Sequence, residues 1–492
     1  MQGRYVGESD WGLEPNPIHV GGMALRIATA EAIRVHPFLH ALYADRLNPA
    51  RDAPALVGPE EGRAVRSALS EWSLALLEPL LEQGGCDLDA PGGVFERTAL
   101  HLALMHTNLP AALALVRAGA RLDVPDVAGN TALHYAARSG LPTAPLLEAA
   151  GLSATGVARA QSQRSKAGLV ASEVGALPSE AGGQAEAARP NDAGSDGGWA
   201  QGPVPVRQER CQIEVMDAAE FGPASFAPFI SGQRPLLVRG LADKVAPRLV
   251  RDWAKEPFVR KFGSLRFNTS TVGYAEMLRL PMEELSVADF VARISKTGAT
   301  SEAQPYIFAN DFLRTHPELS GLHELLGEGH GRPVIQPPWM VGLPAWAGYN
   351  ERDAQDASAG VQFYLGPAGS GAQPHMHEHA WNLAVHGSKR WMIWPPSRSF
   401  YAARPAREFA AEAVPKMSGE DAPLTCIQHS GDLLYVPAKW GHSTDNLETT
   451  IGVAVGFRTD DVLPAALNGP GARSCDAKVP AEPPSPPSRG EL

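Results

Sequence analysis

The chain has 492 residues, which is more than one domain usually holds, so two or three folded units are expected. Hydrophobic residues make up 44 %, enough to build cores and too many for a wholly disordered chain. The formal net charge of −11 argues against a protein held mainly to phosphate backbones, which requires clustered lysine and arginine, so no direct nucleic-acid contact is expected.

Residues 1–69 read as an N-terminal helical region, with capping helices over 24–48. In 70–152 a repeat follows. Thr98-Ala99-Leu100-His101 returns as Thr131-Ala132-Leu133-His134, 33 residues later, and each copy continues with apolar residues at helical spacing. A second helical stretch, Ala111–Ala118, runs to Gly119. His101 and His134 read as helix-start residues bonded to neighbouring loops, not as catalysts. Residues 153–210 lack Ile, Phe, Tyr, Met and any aromatic but Trp199 up to Gln208, and read as a disordered linker. From Cys211 to residue 467 short strands appear: Pro235–Val238, Leu265–Phe267, Tyr306–Phe308, Val361–Leu365, Lys389–Trp394, Leu433–Val436 and Ile451–Phe457, with helices near Pro247–Lys255 and Ser286–Lys296. Gly/Pro turns between them predict a β-barrel or sandwich. Residues 468–492, with EPPSPPS, read as a disordered Pro-rich tail.

No run approaches the ~18 uninterrupted apolar residues of a membrane span. The opening MQGRYVGESDWGLEPNP lacks the apolar core of a secretory signal, so a cytoplasmic or nuclear location is expected. Cys86, Cys211, Cys426 and Cys475 make no CxxC pair, so neither a disulfide framework nor a thiolate zinc site is expected, and a reducing compartment fits.

The chemistry concentrates in Pro374-His375-Met376-His377-Glu378-His379. On a strand, His375 and His377 project to one face, as half of a metal site, and His379 falls on that face as a second-choice ligand. A second segment runs Gly431-Asp-Leu-Leu-Tyr-Val-Pro437 and then Trp440-Gly441-His442, with Asn446 beyond. Lys389 shares a face with Trp391 and Ile393, and an ammonium on an apolar face needs an anionic partner, either a protein carboxylate or a bound dicarboxylate.

The period of 33 with T-x-L-H resembles the ankyrin repeat. The two histidine segments resemble the paired motifs of the cupin superfamily, with Lys439 where a glycine is usual. Together with Gln233–Gly240, Ala380–Pro396 and Trp440–Ile451 they resemble the JmjC domain, and most of all its small subgroup that reads His-x-His where other members read His-x-Asp. The resemblance implies an α-helical ankyrin-repeat module followed by a double-stranded β-helix, the JmjC/cupin jelly roll. It further implies an oxygenase using Fe(II) and 2-oxoglutarate. His375, His377 and His442 would hold the metal. Lys389 would take the distal carboxylate of the cosubstrate, with Asn382, Tyr306 and Asn446 nearby. A protein hydroxylase follows as the expected function, with the repeats recruiting a protein partner or substrate. The missing carboxylate, and Ala372 where a threonine is frequent, favour the alternative of a catalytically inactive scaffold.

Overall fold

The computed structural model describes parts of 74–91, most of 96–174, 197–199, most of 211–310, scattered positions in 316–347, and most of 361–459. The expected 1–69 helical region and the 468–492 tail lie outside the described residues.

The repeats fold as paired helices: α1 (Ala99–Met105), α2 (Leu109–Arg117), α3 (Ala132–Arg138), α4 (Ala144–Ala149) and α5 (Ala154–Ser162). Each T-x-L-H motif starts a helix in the same way. The backbone N–H of Thr98 donates to His101 Nδ1, and that of Thr131 to His134 Nδ1, both at 3.1 Å. These are two of the N–H groups that a helix start leaves without intrahelical partners. His134 Nε2 then reaches the Leu169 carbonyl (2.9 Å), which stitches this histidine into the stack. Leu100, Leu104, Leu115, Leu133 and Leu146 form its buried core.

The span read as a disordered linker is ordered over most of 153–174 and again at 197–199, which corrects that expectation for these residues. Ser153 Oγ caps α5 by accepting from Gly156 N–H, and Lys166 N–H donates to the Ala128 carbonyl (2.8 Å), so this stretch extends the stack. Farther on, Trp199 is buried, its indole N–H on the Trp253 carbonyl (2.9 Å) and its ring against Phe258. The composition rules out an independent core, but not docking onto a core that other segments build.

The second module has a nine-stranded and a three-stranded sheet. In chain order the strands are β1 (Glu214–Asp217), β2 (Leu236–Arg239), β3 (Arg266–Ser270), β4 (Glu283–Ser286), β5 (Tyr306–Asn310), the two-residue β6 (Glu328–Gly329) and β7 (Arg332–Pro333), β8 (Val361–Gly366), β9 (His379–His386), β10 (Lys389–Trp394), β11 (Leu424–Gln428), β12 (Leu433–Val436), β13 (Gly441–Asn446) and β14 (Thr450–Phe457). The large sheet runs β1-β2-β12-β9-β14-β8-β5-β3-β4, antiparallel except for β1 with β2, and the small one runs β11-β10-β13. This is the double-stranded β-helix that the resemblance implies. Strand alternation divides the large sheet: Tyr306, Phe308, Gln362 and Asn382 line a pocket between the sheets, while Ile307, Phe363 and Leu383 pack into the main core. Helices α6 (Pro223–Gly232), α7 (Pro247–Asp252), α8 (Lys255–Phe262) and α9 (Val287–Ile294) supply Phe226, Leu249, Phe258 and Phe290 to that core.

Two of the sequence motifs meet in one buried ion pair. Asp432, after the Gly431 turn, takes Arg239 at 2.5 Å and the Gly240 N–H at 2.9 Å, tying β2 to β12. The cysteine expectation needs correcting as well. Cys211 and Cys426 form a disulfide across 215 residues of sequence. Topology brings the approach to β1 alongside β11, which no local spacing reveals, and such a bond persists in oxidising surroundings rather than reducing ones. Reduction by dithiothreitol is expected to lower stability by about 2–4 kcal/mol. Urea midpoints measured with and without the reductant check this, and coincident midpoints would contradict it.

Acid is expected to weaken both modules. Burial pushes His101 down to about 4 and His379 down to about 3. Both folded values lie below the ordinary 6.5, so the unfolded chain binds more protons in between. Their contribution is complete above pH 6.5 and drains away as pH falls towards about 4 for His101 and about 3 for His379, at about 1.4 kcal/mol per pH unit each. Urea unfolding at pH 7 and pH 5 measures it, and an unchanged free energy would refute it.

Candidate metal and carboxylate site

The segment before β9 positions the first histidines, though not as a strand. Only His375 pairs, in an isolated bridge with His442, and the chain bends at Glu378 before β9 begins. The two residues exchange backbone bonds (His375 N–H to the His442 carbonyl at 3.0 Å, His442 N–H to the His375 carbonyl at 2.8 Å), which sets their side chains together. The turn feeding this segment requires glycine. Gly371 sits at φ +156°, and a Cβ there would lie 1.9 Å from the Thr444 carbonyl oxygen.

Three imidazoles converge. Ring centroids are 4.2 Å apart for His375 and His442, 4.7 Å for His377 and His442, and 5.3 Å for His375 and His377. Each offers a ring nitrogen within 4.8 Å of the others. Their tautomers follow from their neighbours. Nδ1 of His375 faces the Gln373 carbonyl (2.7 Å), that of His377 the Glu378 carbonyl (2.6 Å), and that of His442 the Trp440 carbonyl (3.0 Å). A carbonyl only accepts, so each Nδ1 carries the proton and each Nε2 keeps its lone pair for a metal. Burial holds His377 below the ordinary imidazole value. It holds His442 well below it, with the charges of His375 and His377 adding to the effect. Neutral imidazoles are the ligating form.

His379 is not part of this cluster. It opens β9, and its Nδ1 takes the Tyr435 hydroxyl (2.8 Å) while Nε2 meets Thr459 Oγ1 (3.2 Å). The bend at Glu378 breaks the alternation on which its candidacy rested. Among the described residues, no carboxylate joins the three histidines.

Across the same pocket lies Lys389, 1 % exposed, its ammonium 3.5 Å from the centre of the Tyr364 ring. Burial pushes it well below the usual lysine value. Among the described residues no acid pairs with it, so the protein-carboxylate reading finds no support there. The Tyr364 hydroxyl donates to Asn382 Oδ1 (2.8 Å). Asn382 and Tyr306 line the pocket with the three histidines, Trp391 and Thr444, around about 390 Å³ of space that includes solvent at its mouth. Asn446 sits opposite Lys389 in the β10–β13 register but does not line the pocket; its amide donates to Ser370 Oγ (2.9 Å) and Gly366 O (3.4 Å). Lys439 takes φ +65°, which explains why a glycine is usual there.

Tyr274 carries no sequence signal of its own. It has φ +55°, its ring lies 4.8 Å from that of His375, and its hydroxyl accepts from Gln362 Nε2 (3.1 Å). Its place depends on a turn after β3, about a hundred residues upstream of the histidines.

The donor set fits a divalent metal that accepts imidazole nitrogen, iron among them. The buried ammonium opposite fits an organic anion.

A family description of the JmjC domain matches residues 346–463, and one of ankyrin repeats, in three copies, matches residues 65–151. JmjC domain-containing protein 8 of Homo sapiens is 26 % identical over 267 residues, covering 53 % of this chain and 89 % of that protein. Arginine-specific demethylase JMJ20 of Arabidopsis thaliana is 24 % identical over 268 residues, 49 % of this chain and 56 % of its own length. The 2-oxoglutarate and iron-dependent oxygenase JMJD4 of Gallus gallus is 25 % identical over 104 residues, 18 % of this chain and 24 % of its own. No described helix is long and apolar enough to cross a membrane.

Proposed function

The chain carries a JmjC domain behind ankyrin repeats, and from that premise we propose that it is an Fe(II)- and 2-oxoglutarate-dependent oxygenase that hydroxylates a protein. One observation carries the reading: three imidazoles with their Nδ1 atoms occupied converge at one end of a buried pocket, and in the same pocket stands an ammonium to which the described residues bring no acidic partner. Burying an unpaired ammonium is costly and disfavours its charged form, and a ligand carboxylate in the pocket would supply the countercharge that restores it.

His375, His377 and His442 would hold the metal through Nε2. Lys389 would take one carboxylate of 2-oxoglutarate, with Asn382 and Tyr306 beside it. When bound, Fe(II) with 2-oxoglutarate and O2 supplies the oxidising power to hydroxylate a C–H bond. Trp391, Ala372 and Tyr274 would limit water in the pocket and set the approach of the substrate.

No Asp or Glu stands among the described residues lining the pocket, while a lysine and a metal would both be positive there. This favours a neutral substrate side chain over methylated lysine or arginine, and so hydroxylation over demethylation. The free surface of the repeats would receive the protein partner.

A second reading, a scaffold without turnover, draws on the absent carboxylate. Three neutral ligands leave the metal its full double positive charge, which alters its affinity and potential. Succinate formation from 2-oxoglutarate, with Fe(II), ascorbate and a peptide panel, separates the two when His442→Ala serves as control. Turnover abolished by the substitution supports the oxygenase. No 2-oxoglutarate binding and no turnover with any peptide would overturn it.

A further inference from the structure

The ankyrin stack docks against the barrel beside the histidines. Ser397 N–H donates to the Ser139 carbonyl (3.2 Å). Gly140, at φ +70°, lies so close to the same turn that a Cβ would sit 2.8 Å from Ser397 Oγ and 3.3 Å from Pro395 Cβ. Leu169 of the stack approaches Gly232 at the end of α6. Arg97 and Arg138 are buried in the stack. Arg97 Nε donates to the Tyr135 hydroxyl, and the Arg138 guanidinium lies 4.3 Å from the Tyr135 ring centre. Ser399, two residues after Ser397, closes against the segment Lys439–Gly441: a Cβ on Gly441, beside His442, would sit 2.9 Å from Ser399 Cα.

Both barrel segments at this seam hold metal-site histidines. Just after Ser397, the Tyr401 hydroxyl donates to the Met376 carbonyl (2.9 Å) and Ala402 N–H to the Pro374 carbonyl (3.0 Å), gripping the residues on either side of His375. In the other segment, Lys439 N–H donates to the His377 carbonyl (2.7 Å), and the Trp440 carbonyl accepts from His442 Nδ1 (3.0 Å). One seam thus reaches all three ligands through a single intervening layer.

We propose that the edge of the ankyrin stack at Arg138–Gly140 is a positioning element for the histidine site: the stack's partner at this edge is the chain's own barrel, and its docking holds the three imidazoles in ligating geometry. The inference rests on the metal reading given above. Groups outside the ligand sphere that orient metal ligands are typically worth about 10–100-fold in affinity.

The test titrates the full chain with cobalt(II), followed by its visible d–d absorption. Gly140→Trp drives a wedge into the seam. Gly119→Trp places the same side chain at another left-handed glycine of the stack, φ +108°, with nothing within 4 Å, so it shares the backbone strain without the wedge. The expected result is a loss of about tenfold or more in cobalt affinity and an altered d–d band for Gly140→Trp, with Gly119→Trp within about twofold of the unaltered chain. Circular dichroism establishes folding. Should Gly140→Trp not fold, Ser397→Trp wedges the seam from the barrel side and is expected to give the same loss. Unchanged cobalt affinity and spectrum in a folded wedge variant would overturn the positioning role and leave the oxygenase reading standing. No cobalt binding by the unaltered chain would overturn both.

Discussion

His442→Ala is expected to weaken metal binding by roughly a hundredfold or more, the largest effect of any single substitution in the barrel. Losing a group that merely orients a ligand typically costs ~10–100-fold, so losing a ligand costs at least that. His442 is the strongest choice of the three because its ring faces both others, at 4.2 and 4.7 Å. His379→Ala is the discriminating control. It removes a buried histidine held by Tyr435 and Thr459, so it lowers stability while leaving metal affinity within a few-fold. Isothermal titration with nickel(II) or cobalt(II) reads both variants. Equal losses would mean that the bend at Glu378 does not separate the fourth histidine from the site.

Lys389→Met is expected to do two opposite things. It removes the cation for the distal carboxylate of 2-oxoglutarate, a loss of about 2–4 kcal/mol or roughly thirty- to a thousandfold in affinity. It also replaces a desolvated ammonium, partnered among the described residues by the Tyr364 ring, with an apolar side chain of similar length, which raises stability without ligand. Thermal melts with and without 2-oxoglutarate therefore form a signature. The unaltered chain starts lower and rises on adding the anion, whereas the variant starts higher and does not move. A variant that starts lower, or that still responds to 2-oxoglutarate, would show that the lysine serves the fold and not a ligand.

The sequence reveals those elements whose residue chemistry matches their environment. The β10 run Lys389–Trp394 and the β12 run Leu433–Val436 have the predicted bounds, because apolar strands buried between sheets advertise themselves. β13 goes unread: Gly441–Asn446 is wholly polar, yet every residue of it is buried. Its His442 and Thr444 line the pocket, Asn446 turns to Ser370 and Gly366, and Asp445 on the other face receives Arg407 at 2.7 Å. Such a strand exists because its neighbours supply hydrogen bonds, and a single chain segment cannot announce that. The three histidines are legible as a group by type and spacing, but the argument from strand alternation is not how they meet. A bend and an isolated bridge bring them together, and the same bend carries His379 away. Tyr274 and the Cys211–Cys426 bond escape notice for a common reason: each depends on chain crossings far apart in sequence.

The burial of Trp199 changes where this barrel begins. Its indole fills space among Trp253 and Phe258 that nothing after residue 211 is seen to fill, so a fragment cut by resemblance would start with a hole the size of a tryptophan in its core. Truncating a buried tryptophan typically costs about 3–5 kcal/mol, a large share of a domain's whole stability. A piece that begins at Cys211 is therefore expected to be less stable than one that includes Trp199, and the ankyrin stack and barrel are joined by a chain that is anchored before it enters its first strand.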